Sequence, residues 1–221
     1  MMITYDDIRK NEQINALLEA GNDALEVMGF TDHGYAHASF TAAQASDILW
    51  KLDYDERTCE LARIAAYMHD IGNAVNRSDH ALTGGTLAFQ ILSSLGMDAK
   101  EIAQIVTAIG NHDERAANAV TPISAALILA DKSDVRRSRV RCLPTDPSFD
   151  IHDRVNYAVI IRHLDVDKAQ ETLSLHLTVD TTICSVMDYF EIFLNRMLLC
   201  RDAARFLGMR FTLIINDTRM L

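Results

Sequence analysis

The chain has 221 residues, 49% of them hydrophobic and 24% charged, with a formal net charge of −10. That is enough apolar material for one large domain, or for one domain with an appendage. The acidic balance argues against general nucleic-acid binding, although a small or nucleotide-sized anion can bind wherever a local cation or a metal supplies positive charge. The four cysteines, Cys59, Cys142, Cys184 and Cys200, are scattered and form no Cys-x-x-Cys pair. That spacing fits a reducing compartment and gives no zinc-knuckle signal. The N-terminus is acidic before it is basic, unlike a signal peptide, and no apolar run approaches a membrane span. The expectation is a soluble cytoplasmic protein with no membrane partner.

In chain order, Asn11 to Phe30 reads as a first helix with Ile14, Leu17, Leu18, Leu25 and Met28 on its apolar face, ended by Gly29. Thr31 or Asp32 is placed to cap a second helix from about Gly34 to Leu52, with His33 and His37 four apart near its start. From Arg57 to Met68, Leu61, Ile64, Ala65 and Met68 recur at i, i+3, i+4 and i+7, one buried stripe. Gly72 is expected to end that helix, leaving His69 and Asp70 in its last turn. A polar connection, Asn73 to Ser78, leads to a helix from about Asp79 to Leu95. His80 lies in its first turn, and Gly84 and Gly85 permit close backbone approach. Asp98 and Glu101 resemble an acidic capping box for a helix to about Ile109. Thr121-Pro122 is a strong start signal for a helix carrying Ile123, Leu127, Ile128, Ala130, Asp131 and Lys132.

Pro144 and Pro147 mark a change of style. Ala158 to Val166 and the alternating Leu173, Leu175, Leu177 and Val179 read as two strands. A long amphipathic helix follows, running from Ile183 through Leu198 and closing near Gly208. Arg210 to Ile215 is a last short strand. The predicted architecture is mostly α: a helical body over residues 1–143 and a small β-β-α-β region over residues 144–221.

Five of the eight histidines precede residue 113. His37, His69, His80 and His112 each fall at or near a helix end, and Asp131 lies inside a helix. Separate helices that each offer one ligand are a usual way to build a metal site in a helical protein. A buried, unpaired Asp70 would be costly, and a bound cation would offset that cost. Imidazole beside carboxylate suits a transition metal.

The segment from about Asp32 to Asp134 resembles the HD-domain superfamily of metal-dependent phosphohydrolases. The resemblance rests on His37, on His69-Asp70-Ile71-Gly72 and on Asp131, with His80 and His112 in the slots that two-metal members fill with histidine. It implies an HD-type helical bundle holding two divalent transition metal ions per chain, with manganese, iron, nickel, cobalt and zinc all open. His37, His69, Asp70 and Asp131 would hold one ion, and His80 and His112 the other. Asp70 would bridge them as the catalytic carboxylate. The implied reaction is hydrolysis of a nucleotide or another small phosphate ester by a metal-activated water.

The chain departs from the resemblance in places. Asn73 stands where many His-Asp-Ile-Gly members have lysine. After His112 the chain reads Asp113-Glu114-Arg115-Ala116-Ala117-Asn118, without the Gly-Tyr-Pro segment of cyclic-dinucleotide phosphodiesterases. That argues against cyclic di-GMP as substrate. His33 stands where some three-metal members have a carboxylate, and is read as a substrate contact, an occasional ligand or a solvated histidine.

Lys132, Arg136, Arg137, Arg139 and Arg141 place five cations in ten residues. Lys132, Arg136 and Arg139 are expected to share one helical face, beside that of Asp131. They are read either as a phosphate clamp or as a solvated basic face. Two further functions remain open on sequence alone: a di-iron HD-type oxygenase with the same ligand series, and a non-catalytic metal-containing binding module. The C-terminal region offers strand edges for a homo-oligomer, or a helix to cover the site.

Overall fold

A computed structural model describes residues 2–115, 117–142, 144–146 and 149–221. Pro147, one of the two prolines that mark the change of style, lies outside the described residues.

Two helices precede the metal-binding motifs. α1 (Tyr5–Arg9) is capped by Thr4 and Asp7, which exchange side-chain and backbone hydrogen bonds. Sequence periodicity misses it because one and a half turns are too short to show a period. α2 (Glu12–Val27) starts where expected, with the Asn11 side chain accepting from Ile14 N. Ile14, Leu18 and Leu25 are buried, whereas Met28 falls beyond the helix and is about half exposed. Gly29 ends the segment with φ 80°, a left-handed conformation that costs glycine little.

α3 (Tyr35–Lys51) begins after Gly34, so neither Thr31 nor Asp32 is its cap. Asp32 instead turns the chain just upstream, its Oδ1 accepting from Gly34 N. α4 (Glu56–Met68) is capped by Asp55 and buries Leu61, Ile64, Ala65 and Met68 as the stripe predicts. Burial contributes about 1.5–3 kcal/mol for each large apolar side chain. Intrinsic propensity differs by only about 0.7 kcal/mol per residue among ordinary residues, so packing is what places this helix.

α4 ends at Met68, and Gly72 does not end it. Gly72 lies in a 3₁₀ turn over Ile71–Ala74. A Cβ there would collide with His80 O and come within 2.6 Å of Gly84 N. The glycine is required by close approach, not by helix termination. At Gly84 a Cβ would lie 3.3 Å from His69 O, which bears out the close approach expected there.

α5 (His80–Ser94) and α6 (Ala99–Gly110) pack together. Asp98 caps α6, but Glu101 does not complete a capping box. Its two oxygens accept from Arg57 Nε and Nη2 at 2.7 and 2.6 Å. α7 (Pro122–Lys132) starts at Thr121, which forms a capping box with Ser124. α3 and α4 pack on each other and on α7, and α6 closes the bundle.

The C-terminal region opens with α8 (Ile151–Ala158), a short helix over a stretch to which the sequence reading assigned no element before Ala158. β1 (Val159–Asp167) and β2 (Thr172–Val179) form an antiparallel hairpin. α9 (Val186–Phe206) then crosses over to β3 (Arg210–Ile215), which pairs parallel with β2, and β4 (Thr218–Arg219) adds a two-residue edge. The sheet order is β1-β2-β3-β4. The chain is thus a mostly α bundle with a β-β-α-β region, plus this short extra strand. α9 lies along α7, and one apolar core runs from Ile3 through Ile215. No helix among the described residues is long and apolar enough to cross a membrane.

Candidate metal centre

The ends of five α-helices and one 3₁₀ turn meet at one point in the bundle. His37 lies in the first turn of α3, and His69 caps the C-terminus of α4. Asp70 precedes the 3₁₀ turn, and His80 opens α5. His112 follows α6, and Asp131 occupies the last turn of α7. Before α5, Asp79 takes a left-handed conformation, φ 59°, one that Asp tolerates. His37, His69, Asp70, His80 and His112 are buried, and Asp131 nearly so.

Helix ends are useful here because their last carbonyls lack intrahelical partners. His69 Nδ1 donates to Ala66 O at 2.7 Å, and His112 Nδ1 to Ile109 O at 2.6 Å. His80 Nδ1 donates to Arg77 O at 3.1 Å. Each histidine thus satisfies a carbonyl three residues back. His37 Nδ1 donates to Asp134 Oδ2 at 2.7 Å. Carbonyl and carboxylate oxygens only accept, so the proton sits on Nδ1 in all four rings. The Nε2 lone pairs are left for the interior.

Those lone pairs face one another. His37 Nε2 is 3.3 Å from His69 Nε2, and His80 Nε2 is 3.2 Å from His112 Nε2. Two bare imidazole nitrogens at that separation repel unless a cation or proton is shared between them. Asp70 spans both pairs. Its Oδ2 lies 3.2 Å from His69 Nε2 and 3.7 Å from His37 Nε2, and its Oδ1 is 3.5 Å from His80 Nε2. Oδ2 is buried and accepts no well-formed hydrogen bond. Asp131 Oδ1 lies 3.4 Å from His37 Nε2 and 3.8 Å from His69 Nε2.

Three groups here have donor atoms within 4.8 Å of one another: His37/His69/Asp70, His69/His112/Asp131 and Asp70/His80/His112. An orphaned carboxylate oxygen among bare nitrogens is the donor set a divalent cation needs.

The charges agree with that fit. Burial opposes ionisation of Asp70, yet His69, His33 and His80 hold its carboxyl well below the usual range. Burial likewise opposes ionisation of Asp131, and Lys132 with His37 and His69 overrides it. Burial pushes His112 well below its ordinary value, helped by His69 and Lys132, and lowers His80 as well. Ionised carboxylates and neutral imidazoles are the ligating forms. His69 goes the other way: burial lowers it, but Asp70 and Asp131 raise it more.

The basic segment is not one helical face. α7 stops at Lys132, and Arg136 lies outside any helix, before a 3₁₀ turn over Arg137–Arg139. Lys132 is buried with its Nζ 2.7 Å from Asp131 Oδ2, so it serves a candidate ligand directly. Arg136 pairs with Asp134 and stacks 3.9 Å from the Phe40 ring centroid. Arg139 is buried beside the centre, donating to Asp32 O and Asp134 O at 3.0 Å each. His33 is half-buried, its ring 5.5 Å from that of His37, with Nδ1 donating to Thr31 O. It is therefore not simply solvated.

Two supporting residues escaped the sequence reading. Asp134 orients His37, and the available signal was only a third aspartate just past Asp131. Asn73, noted as a missing lysine, donates from Nδ2 to Asp70 Oδ1 at 2.8 Å and accepts from Arg77 Nη1 at 3.2 Å. The amide thus holds the carboxylate while Arg77 supplies a cation nearby.

Residues 34–142 match the family model described as HD domain. An uncharacterized protein of Methanocaldococcus jannaschii is 29% identical over 170 residues, covering 67% of this chain and 65% of that protein. The match thus spans less than two thirds of the relative's own length.

Proposed function

Residues 34–142 of this chain belong to the HD-domain family, and from that premise we propose a metal-dependent phosphohydrolase or phosphodiesterase acting on a nucleotide or another small phosphate ester. His37, His69, Asp70 and Asp131 would hold one divalent ion, and Asp70, His80 and His112 would hold a second. When bound, the ions supply a water of lowered pKa and positive charge against the phosphoryl oxygens. The protein's residues do the positioning. Ala66 O, Arg77 O, Ile109 O and Asp134 fix the four imidazoles. Asn73 fixes one oxygen of Asp70 and leaves the other open. Burial of the whole cluster excludes bulk water and strengthens each electrostatic contact.

The observation that carries this reading is Asp70, whose two oxygens face different histidine groups while Oδ2 has no hydrogen-bond partner. The test is a screen of purified protein, loaded separately with manganese, nickel, cobalt or iron, against nucleotides, dinucleotides and simple phosphate esters. Metal-dependent release of phosphate or nucleotide supports it. Oxygen uptake by the iron form, with no hydrolysis under anaerobic conditions, supports the di-iron oxygenase instead.

A further inference from the structure

Beside the metal centre lies a cavity of about 270 Å³. The loop after α2, the segment after α7, α8 and α9 all contribute to its wall, so the C-terminal region helps to enclose it. His33, Arg77, Arg139 and Arg196 line it. Three arginines on one small cavity are conspicuous in a chain of net charge −10.

Each guanidinium is held yet only partly used. Arg77 gives one nitrogen to Asn73 Oδ1, and its head sits 5.4 Å from the Phe30 ring centroid. Arg196 gives Nε to Glu114 Oε1 at 2.6 Å and stacks 4.6 Å from the Phe193 ring centroid. Arg139 is only 3% exposed, and its Nη2 is buried with no hydrogen-bond partner. A buried charged donor left unmade is costly, and an arriving anion would satisfy it. Asp150 is the acidic residue on the wall, with Oδ1 accepting from His152 N and Asp153 N and Oδ2 lying 3.2 Å from His152 Nδ1.

The cavity adjoins the centre, although none of the six candidate ligands lines it. The His33 ring abuts that of His37, and the hydrogen bonds Arg77–Asn73–Asp70 link its wall to the carboxylate between the two ligand groups. A molecule with one phosphate at the metals and another at the arginines would have to pass His33. Guanidinium forks match phosphate oxygens, and several of them suit multiple negative charge. The volume lies just under the roughly 300–1,000 Å³ of pockets for drug-sized ligands, so what enters is small.

We infer that Arg77, Arg139 and Arg196, with His33, form a second phosphate subsite, so that the substrate is a small molecule bearing two phosphate groups. Calling the ligand a substrate rests on the phosphohydrolase reading. The anion site itself does not.

The test is calorimetric titration of the purified, metal-loaded protein. The probes are propane-1,3-, butane-1,4- and pentane-1,5-bisphosphonate, each compared with the alkylphosphonate of the same length. None can be hydrolysed, so binding is read without turnover. The expected result is that at least one bisphosphonate binds tenfold or more tightly than its alkylphosphonate. Arg196→Gln, at a half-buried position whose side chain engages Glu114 and Phe193 and none of the candidate ligands, should erase that preference and leave alkylphosphonate affinity and metal content unchanged. Equal affinity within every pair, or a preference that survives Arg196→Gln, overturns the subsite. A preference that behaves as expected in a protein that hydrolyses no ester leaves the anion site standing and removes the phosphohydrolase reading alone.

Discussion

His37 and Asp134 form a buried hydrogen-bonded pair, Nδ1 to Oδ2 at 2.7 Å, joining the first turn of α3 to the residue that follows the α7 cap. Burial works against the charge on Asp134, but His37 and Arg139 hold its carboxyl far below the usual range. The aspartate therefore fixes which nitrogen of His37 carries the proton. Asp134→Asn keeps the shape and removes that certainty, because an amide can donate as well as accept. Loss of such an outer partner typically costs about 10–100-fold in metal affinity. The measurement is metal retention against a competing chelator. Wild-type retention would show that Asp134 is not orienting a ligand.

Gly72 gives a test of position. Gly72→Ala drives a Cβ into His80 O, and that backbone carries a candidate ligand of the second ion. The expected destabilisation is at or above the upper end of the roughly 1–3 kcal/mol seen for overpacking, because backbone cannot rotate away. Metal stoichiometry should fall with it. Gly84→Ala meets its neighbours at 3.3–3.4 Å, so it should be much milder. Equal urea midpoints for the two variants would contradict this account of the turn.

Arg136 decides between two readings of the basic segment, a phosphate clamp and a structural role. It is engaged with Asp134 and the Phe40 ring. Arg136→Ala should cost about 1–2 kcal/mol in denaturant unfolding, from a lost charge-assisted bond and cation–π contact. KM for a hydrolysed phosphate ester should not change. A raised KM with an unchanged midpoint would place Arg136 in the substrate clamp.

Metal removal should be visible in stability. An ion present at about 100 times its dissociation constant adds roughly 2.7 kcal/mol. For a chain of this size that corresponds to a fall in Tm of roughly 5–10 °C on chelation. Manganese in excess of the chelator should reverse it. A melting curve indifferent to chelator would argue that the histidine pairs hold no ion.

Most helices were legible because their signals are local. Thr121-Pro122, Asp98 and the α4 stripe each act within one or two turns. The convergence of His37, His69, Asp70, His80, His112 and Asp131 was legible through residue type and order. Long-range choices were not. Glu101 abandons its capping box for Arg57, 44 residues away in sequence. Arg139 turns inward to Asp32 O, and Arg77 reaches Asn73. Gly72 looked like a helix stop because a glycine needed for close approach and one needed for termination are spelled alike. α1 and α8 are too short for periodicity to reveal.

The central claim is that Asp70 serves both metal groups and that hydrolysis depends on it. The most direct measurement is turnover of a phosphate ester by manganese-loaded Asp70→Asn, beside Asp113→Asn as a nearby carboxylate outside the ligand set. The amide keeps the shape but lacks the charge to balance two cations. The α4 stripe is untouched, so the fold should survive. The account predicts that Asp70→Asn loses activity by orders of magnitude while Asp113→Asn stays near wild type. Near-normal turnover by Asp70→Asn, or equal loss in both variants, would contradict it.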